Sequence, residues 1–138
     1  MKAISVRAPW WWAILHAGKD IENRDWPTKF RGRVLLYASK WWSMSEVADD
    51  GETVGRIYRQ AGGASHDHGF TYRMMRDRGG HIVGSVEIVD CVEQSDSPWF
   101  FGRYGFVLRD PVAFETPTPC KGALGFFTAQ PHPGDLTP

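Results

Sequence analysis

Val34-Leu35-Leu36-Tyr37-Ala38 is an unbroken apolar run of strand length, and no other stretch limits the fold of this chain so tightly. Such a run suits a buried central strand, which needs pairing partners in a sheet and cover from other elements. A basic loop, Thr28 to Arg33, leads into it through a glycine turn, and it ends in Tyr37-Ala38-Ser39-Lys40. That ending sets two hydroxyls and an ammonium at the carboxyl end of a firmly held strand, where side chains are fixed well enough for chemistry. Tyr37 and Ser39, two residues apart, share one face.

Ahead of the loop the chain crowds charge. Lys19, Asp20, Glu22, Arg24 and Asp25 fall close together, with Trp26-Pro27 directly behind. The alternation of Asp20, Glu22 and Arg24 with Ile21 and Asn23 suits a strand with one polar face, so Glu22 and Arg24 point the same way into one cleft. The plainer reading is a charged strand edge that blocks edge-to-edge pairing.

Lys2 to Val6 is β-rich and predicts a first strand, with Arg7 at its end. Pro9 opens a short amphipathic helix, Trp10 to Ala17, which Gly18 stops. Trp10, Trp11 and Trp12 cannot all face one side of a helix, so at least one ring is expected to be partly exposed. A ring exposed near Arg7 could stack a base; the plainer place for it is over the rim of a barrel. Trp41 to Gln60 reads as a second helix, with Ser43 or Ser45 as its N-cap. Ala61 to Gly80 reads as a loop holding a helical turn around Thr71 to Arg78. His81 to Val92 is the second strong strand, with Gly84 as a bulge. Phe106 to Leu108 and Val112 to Phe114 read as strands broken by Arg109-Asp110-Pro111. Thr116 to Pro119 reads as a rigid connector, Leu124 to Thr128 as a closing strand, and residues 131–138 as a loose Pro-rich tail beyond a domain spanning 1–130. About six strands and two or three peripheral helices, in an order that does not alternate βαβ, predict an α+β fold: a small mixed, mostly antiparallel β-barrel.

Sixteen basic and sixteen acidic residues cancel, so nucleic acid would have to be held by a local basic cleft rather than a global field. Cys91 and Cys120 lack CxxC spacing and read as reduced thiols of a cytoplasmic protein. The start of the chain reads as neither a leader nor a membrane span, and no membrane partner is expected. Seven tryptophans in 138 residues exceed what a small core needs, and such rings serve both core packing and base stacking. His66-Asp67-His68 invites a metal reading, but no Cys cluster or HExxH accompanies it, so neither a metal nor a cofactor is expected.

Four pieces carry a family resemblance: Ser5-Val6-Arg7-Ala8-Pro9-Trp10; Gly18-Lys19-Asp20-Ile21-Glu22-Asn23-Arg24; Arg31-Gly32 with Tyr37-Ala38-Ser39-Lys40; and Tyr104 to Leu108 followed by Pro119 to Phe126. Together they resemble the ASCH family of PUA-like domains across nearly the whole chain. Lys19, Glu22 and Arg24 are similar to the family's G-x-K-x-x-E-x-R signature, whose glycine position falls here on Ala17, with the glycine one residue later. The resemblance implies a β-barrel whose cleft recognises RNA or another nucleic acid, and some similar domains are hydrolases acting on RNA or an acylated cytidine. In the cytidine-deacylating branch a threonine stands three after the lysine; here that position is Glu22.

Two active readings follow, and the sequence leaves open whether a reaction is catalysed. As a reader of single-stranded RNA or a modified nucleoside, the cleft would use Arg7, Trp10, Lys19, Glu22, Arg24, Trp26, Ser39, Lys40, Trp99 and Lys121, cations holding phosphate, Glu22 accepting from a base and rings stacking it. As a hydrolase, Glu22 would be the general base, with Lys19 and Lys40 stabilising developing charge and Tyr37 alongside. A protein-binding adaptor is a third reading. Oligomeric state is not encoded in any pattern seen.

Overall fold

The computed structural model describes residues 1–63 and 72–130, so His66-Asp67-His68 and the tail from 131 onward lie outside the described residues. The apolar run forms strand β3 (Gly32–Ala38), and Val34 to Ala38 are all buried. Around it in chain order stand β1 (Lys2–Val6), α1 (Trp10–His16), β2 (Ile21–Arg24), then α2 (Met44–Gln60), α3 (Tyr72–Asp77), β4 (His81–Val92), β5 (Tyr104–Pro119) and β6 (Phe126–Thr128). The sheet order is β2-β5-β4-β3-β1-β6. Among the described residues only β1 and β3 run parallel, and every other pairing is antiparallel.

The alternation along β3 divides the apolar residues between two layers. Val34, Leu36 and Ala38 join the main core with Trp11 and Ile14 of α1 and Val47, Val54 and Ile57 of α2. Leu35 and Tyr37 face the other way, into a smaller cluster with Ala3, Ile82 and Phe114. Full burial of such side chains contributes about 1.5–3 kcal/mol each, so this strand is the energetic centre of the domain.

The sheet curls until its two ends meet. Phe106 of β5 stacks on Phe126 of β6 at 6.0 Å between centroids, and Trp26 sets its edge against both rings at 5.3 and 5.6 Å. Strand-to-strand hydrogen bonds do not close this seam in the sheet order; aromatic packing and one guanidinium do. Arg24 donates through Nη2 to the Ser5 carbonyl, 2.6 Å away. The outcome is a mixed, half-closed barrel with three helices among the described residues, the α+β architecture expected.

Several boundaries differ from those read in the sequence. β5 is one strand of 16 residues that passes through Arg109-Asp110-Pro111 and includes the Thr116–Pro119 stretch. Asp110 absorbs the irregularity at φ 54°, a left-handed conformation that Asp tolerates better than most residues. The prolines fit because the β2 ladder covers only Tyr104 to Val107, extended by one bond from Leu108 N–H to the Asp20 carbonyl, so among the described residues no strand pairs with β5 on that side from Arg109 onward. β6 begins at Phe126, since Gly125 turns at φ 66°. α2 begins at Met44 with Ser43 as N-cap, so Trp41 and Trp42 precede the helix.

Candidate nucleic-acid interface

The cleft is built outward from the turn between α1 and β2. The N–H groups of Ala17 and Lys19 both end on the Ala13 carbonyl, and Gly18, at φ 76°, reverses the chain between them. That turn delivers the Lys19 side chain inward, where it is only 3 % exposed. Its ammonium lies 5.0 Å from the Trp10 ring centroid and 5.7 Å from that of Trp99, so two indole faces stand in for part of its lost water. Burial pushes its pKa below the ordinary 10.5; the charges of Glu22 and Asp20 pull it back up, and Arg24 pushes it down.

β2 sets the next two charges. Glu22 and Arg24, two apart on one strand face, form an ion pair of 2.8 Å with both side chains largely buried. The pair is therefore a fixed part of the cleft floor and not a solvated edge. Asn23 faces the other way and anchors the 97–101 loop from both ends: its amide donates to the Trp99 carbonyl at 3.0 Å and its carbonyl accepts from Phe101 N–H at 2.8 Å. Ser97 adds a hydroxyl bond to Asp20 at 2.5 Å. These bonds press Trp99 over Lys19 and hold Phe101 at the rim.

A cleft of about 710 Å³ opens above this floor, lined by Arg7, Trp10, Lys19, Glu22, Arg24 and Ser39 among the residues expected from sequence. Its rim carries three exposed apolar side chains: Trp41 (41 %), Phe101 (47 %) and Leu124 (96 %). Arg7 lies 4.8 Å from the Trp41 ring and 3.6 Å from the Glu46 carboxylate. Ser39 accepts from the Trp41 N–H at 3.2 Å and so shapes the turn that lifts this tryptophan clear of the helix.

The remaining expected residues lie elsewhere. Tyr37, Lys40 and Lys121 line a second cavity of about 820 Å³ that shares Ser5, Ser39, Trp41 and Leu124 with the first. Tyr37 is packed against the Phe127 ring at 5.4 Å and hydrogen-bonds the Gly122 backbone; burial raises its pKa, which that bond partly offsets. Trp99 is 4 % exposed and forms a wall behind the ammonium, and Trp26 belongs to the barrel seam. Neither lines either cavity. Of the opening triplet, Trp11 and Trp12 are buried and Trp10 is half-buried over Lys19.

Trp41, Phe101 and Asn23 were not singled out from the sequence. The sequence pattern places Trp41 inside a helix that in fact begins at Met44, and Asn23 is the outward partner in the same strand alternation that points Glu22 and Arg24 inward. Among the described residues no group of three His, Cys, Asp or Glu side chains is placed to hold a metal ion, and no helix is long and apolar enough to cross a membrane.

Human activating signal cointegrator 1 is similar to this chain, 27% identical over 142 aligned positions that cover 86% of the chain and 20% of the human protein, so the chain spans about a fifth of that relative's length. The sequence model of the ASCH domain matches residues 4–106, a span that runs from within β1 into the start of β5 and holds the three described helices and the whole Lys19, Glu22 and Arg24 floor. The chain therefore belongs to the ASCH domain family.

Proposed function

We propose that this ASCH domain binds single-stranded RNA, or a modified base or nucleoside, in the cleft above Lys19, Glu22 and Arg24. The observation that carries the reading is an ammonium and a carboxylate fixed together on the floor of a cleft whose rim exposes aromatic faces. A carboxylate accepts from a base amino or imino group and an ammonium donates to a ring nitrogen or carbonyl, so the pair reads one base edge. Trp41 and Phe101 are accessible for stacking, the sequence-tolerant contact by which single strands are held. Arg7, exposed beside Trp41, suits a phosphate.

The test is a titration of a mixed-sequence RNA dodecamer, followed by fluorescence anisotropy over a range of salt concentrations. Wild-type binding that weakens with salt, and that falls for Lys19→Ala and Glu22→Gln proteins of unchanged fold, supports the reading. Absence of binding to RNA and to a panel of modified nucleosides overturns it and favours a protein-binding adaptor.

One observation favours a second reading, hydrolysis of RNA or an acylated nucleoside. A lysine of lowered pKa next to a carboxylate within a cleft is an arrangement that catalytic sites use. Glu22 would take a proton from water as it attacks the acyl or phosphoryl centre, and Lys19 would stabilise the charge arising on oxygen. Lys40, lining the neighbouring cavity, would act from there. Product formation by the wild type that disappears in Glu22→Gln, with affinity retained, would establish it.

A further inference from the structure

The second cavity differs from the cleft in one chemical respect. The cleft mixes Arg7, Lys19 and Arg24 with Glu22 and Asp50, whereas among the described residues no carboxylate lines the cavity beyond Ser39. Its charged side chains are Lys40 and Lys121, both exposed, and among the described residues neither takes part in an ion pair. His81 also lines the cavity, and its Nδ1–H donates to the carbonyls of Arg78 and Gly79 at 3.2 and 3.1 Å. The aliphatic stem of Lys40 runs beside Gly80, in space that a Cβ at that position would take.

The two cavities adjoin across Ser39, Trp41 and Leu124. At about 710 and 820 Å³ each falls within the range of about 300–1,000 Å³ that holds a single small ligand, so the pair exceeds the needs of one nucleoside. A mixed-charge recess beside one whose described charged side chains are both cationic, with an exposed indole on the saddle, is the pattern of a base pocket followed by a backbone track.

We propose that the ligand is a strand of at least two nucleotides: one base sits over Lys19 and Glu22, and the chain crosses Trp41 into the second cavity, where Lys40 and Lys121 hold its phosphates. This rests on the nucleic-acid reading and narrows it to an oligonucleotide. Tyr37, whose hydroxyl is engaged with the Gly122 backbone, forms the wall of the track and not a reacting group.

The probes are the mixed-sequence RNA dodecamer and a panel of free ribonucleosides, tested on wild type, on Lys40→Gln/Lys121→Gln and on Lys29→Ala. Lys29 is exposed and lines neither cavity. Loss of two phosphate contacts is expected to flatten the slope of log affinity against log salt by about 1.4 for the dodecamer, at about 0.7 per phosphate on a single strand. Nucleoside binding should be unchanged in that variant, and Lys29→Ala should keep the wild-type slope. Lys121→Glu, a single exposed change, should weaken the dodecamer further and guards against a folding defect in the double variant. An unaltered slope in both variants overturns the track while leaving the cleft reading intact. Equal flattening in Lys29→Ala, or parallel loss of nucleoside binding, also overturns it. A wild type that binds neither probe removes the cleft reading and the track together.

Discussion

The Nη2 nitrogen of Arg24 lies 2.6 Å from the Ser5 carbonyl and 2.8 Å from a Glu22 carboxylate oxygen, so one guanidinium group both ties the barrel seam and fixes the acid on the cleft floor. Fold and site thus share a residue. Replacing Arg24 by Ala removes two charge-assisted bonds, and the expected loss is about 1.5–3 kcal/mol of stability in urea unfolding, with Arg24→Lys recovering only part because an ammonium lacks the planar fork. An Arg24→Ala protein as stable as the wild type would detach this residue from the seam.

Lys19 predicts a pH dependence. Its folded pKa lies below the ordinary 10.5, with burial as the largest cause. Below the folded value both states carry the proton and the full penalty of burying it persists. As pH rises from the folded value towards 10.5 the folded state sheds the proton first, the unfolded state binds more protons, and stability rises. Compared with Lys19→Met, which has no such proton, the wild type should therefore gain stability across that window. A difference in unfolding free energy between the two that stays flat with pH would contradict the burial of a charged Lys19.

Trp41 predicts a separation of affinity from stability. It is 41 % exposed, and among the described residues its ring contact is with the Arg7 guanidinium. If a base rests on it, Trp41→Ala should cost about 1–3 kcal/mol of RNA binding, roughly 5- to 150-fold, with little change in melting temperature. Full affinity in the variant would move the stacking face elsewhere, to Phe101 first.

Gly122 predicts a packing defect in the wall of the second cavity. A Cβ there would run into the Tyr37 ring, which is buried at 5 % and held in turn by Phe127. Gly122→Ala should destabilise by about 1–3 kcal/mol through overpacking. The check is urea unfolding beside Gly62→Ala, a glycine with nothing within 4 Å of its Cβ position among the described residues but a positive φ of 92°, whose cost arises from backbone strain.

The sequence made the central strand and the floor of the cleft legible for the same reason: each obeys a short period. Five apolar residues in a row left β3 only a buried position, and a two-residue alternation put Glu22 and Arg24 on one face, where they pair at 2.8 Å. Less legible was whatever depended on distant neighbours. Pro111, Pro117 and Pro119 look like breaks, yet β5 runs through them because β2 is too short to pair with that half. Trp99 sits in polar, turn-rich surroundings that suggest exposure, and it is Asn23, some 76 residues away, that ties its loop down over Lys19. The split of Lys40 and Lys121 from Lys19 into adjoining cavities also arises from the curl of the sheet, which no local pattern records.

The most direct test of the cleft as a reader of single-stranded RNA is an NMR titration of the protein with the mixed-sequence RNA dodecamer, following the indole N–H signals of Trp10 and Trp41 and the backbone amides of 18–24. The account predicts shifts concentrated on those signals and saturating with RNA, and their loss in Glu22→Gln. Saturable binding that leaves them unmoved while signals on another face shift would contradict it.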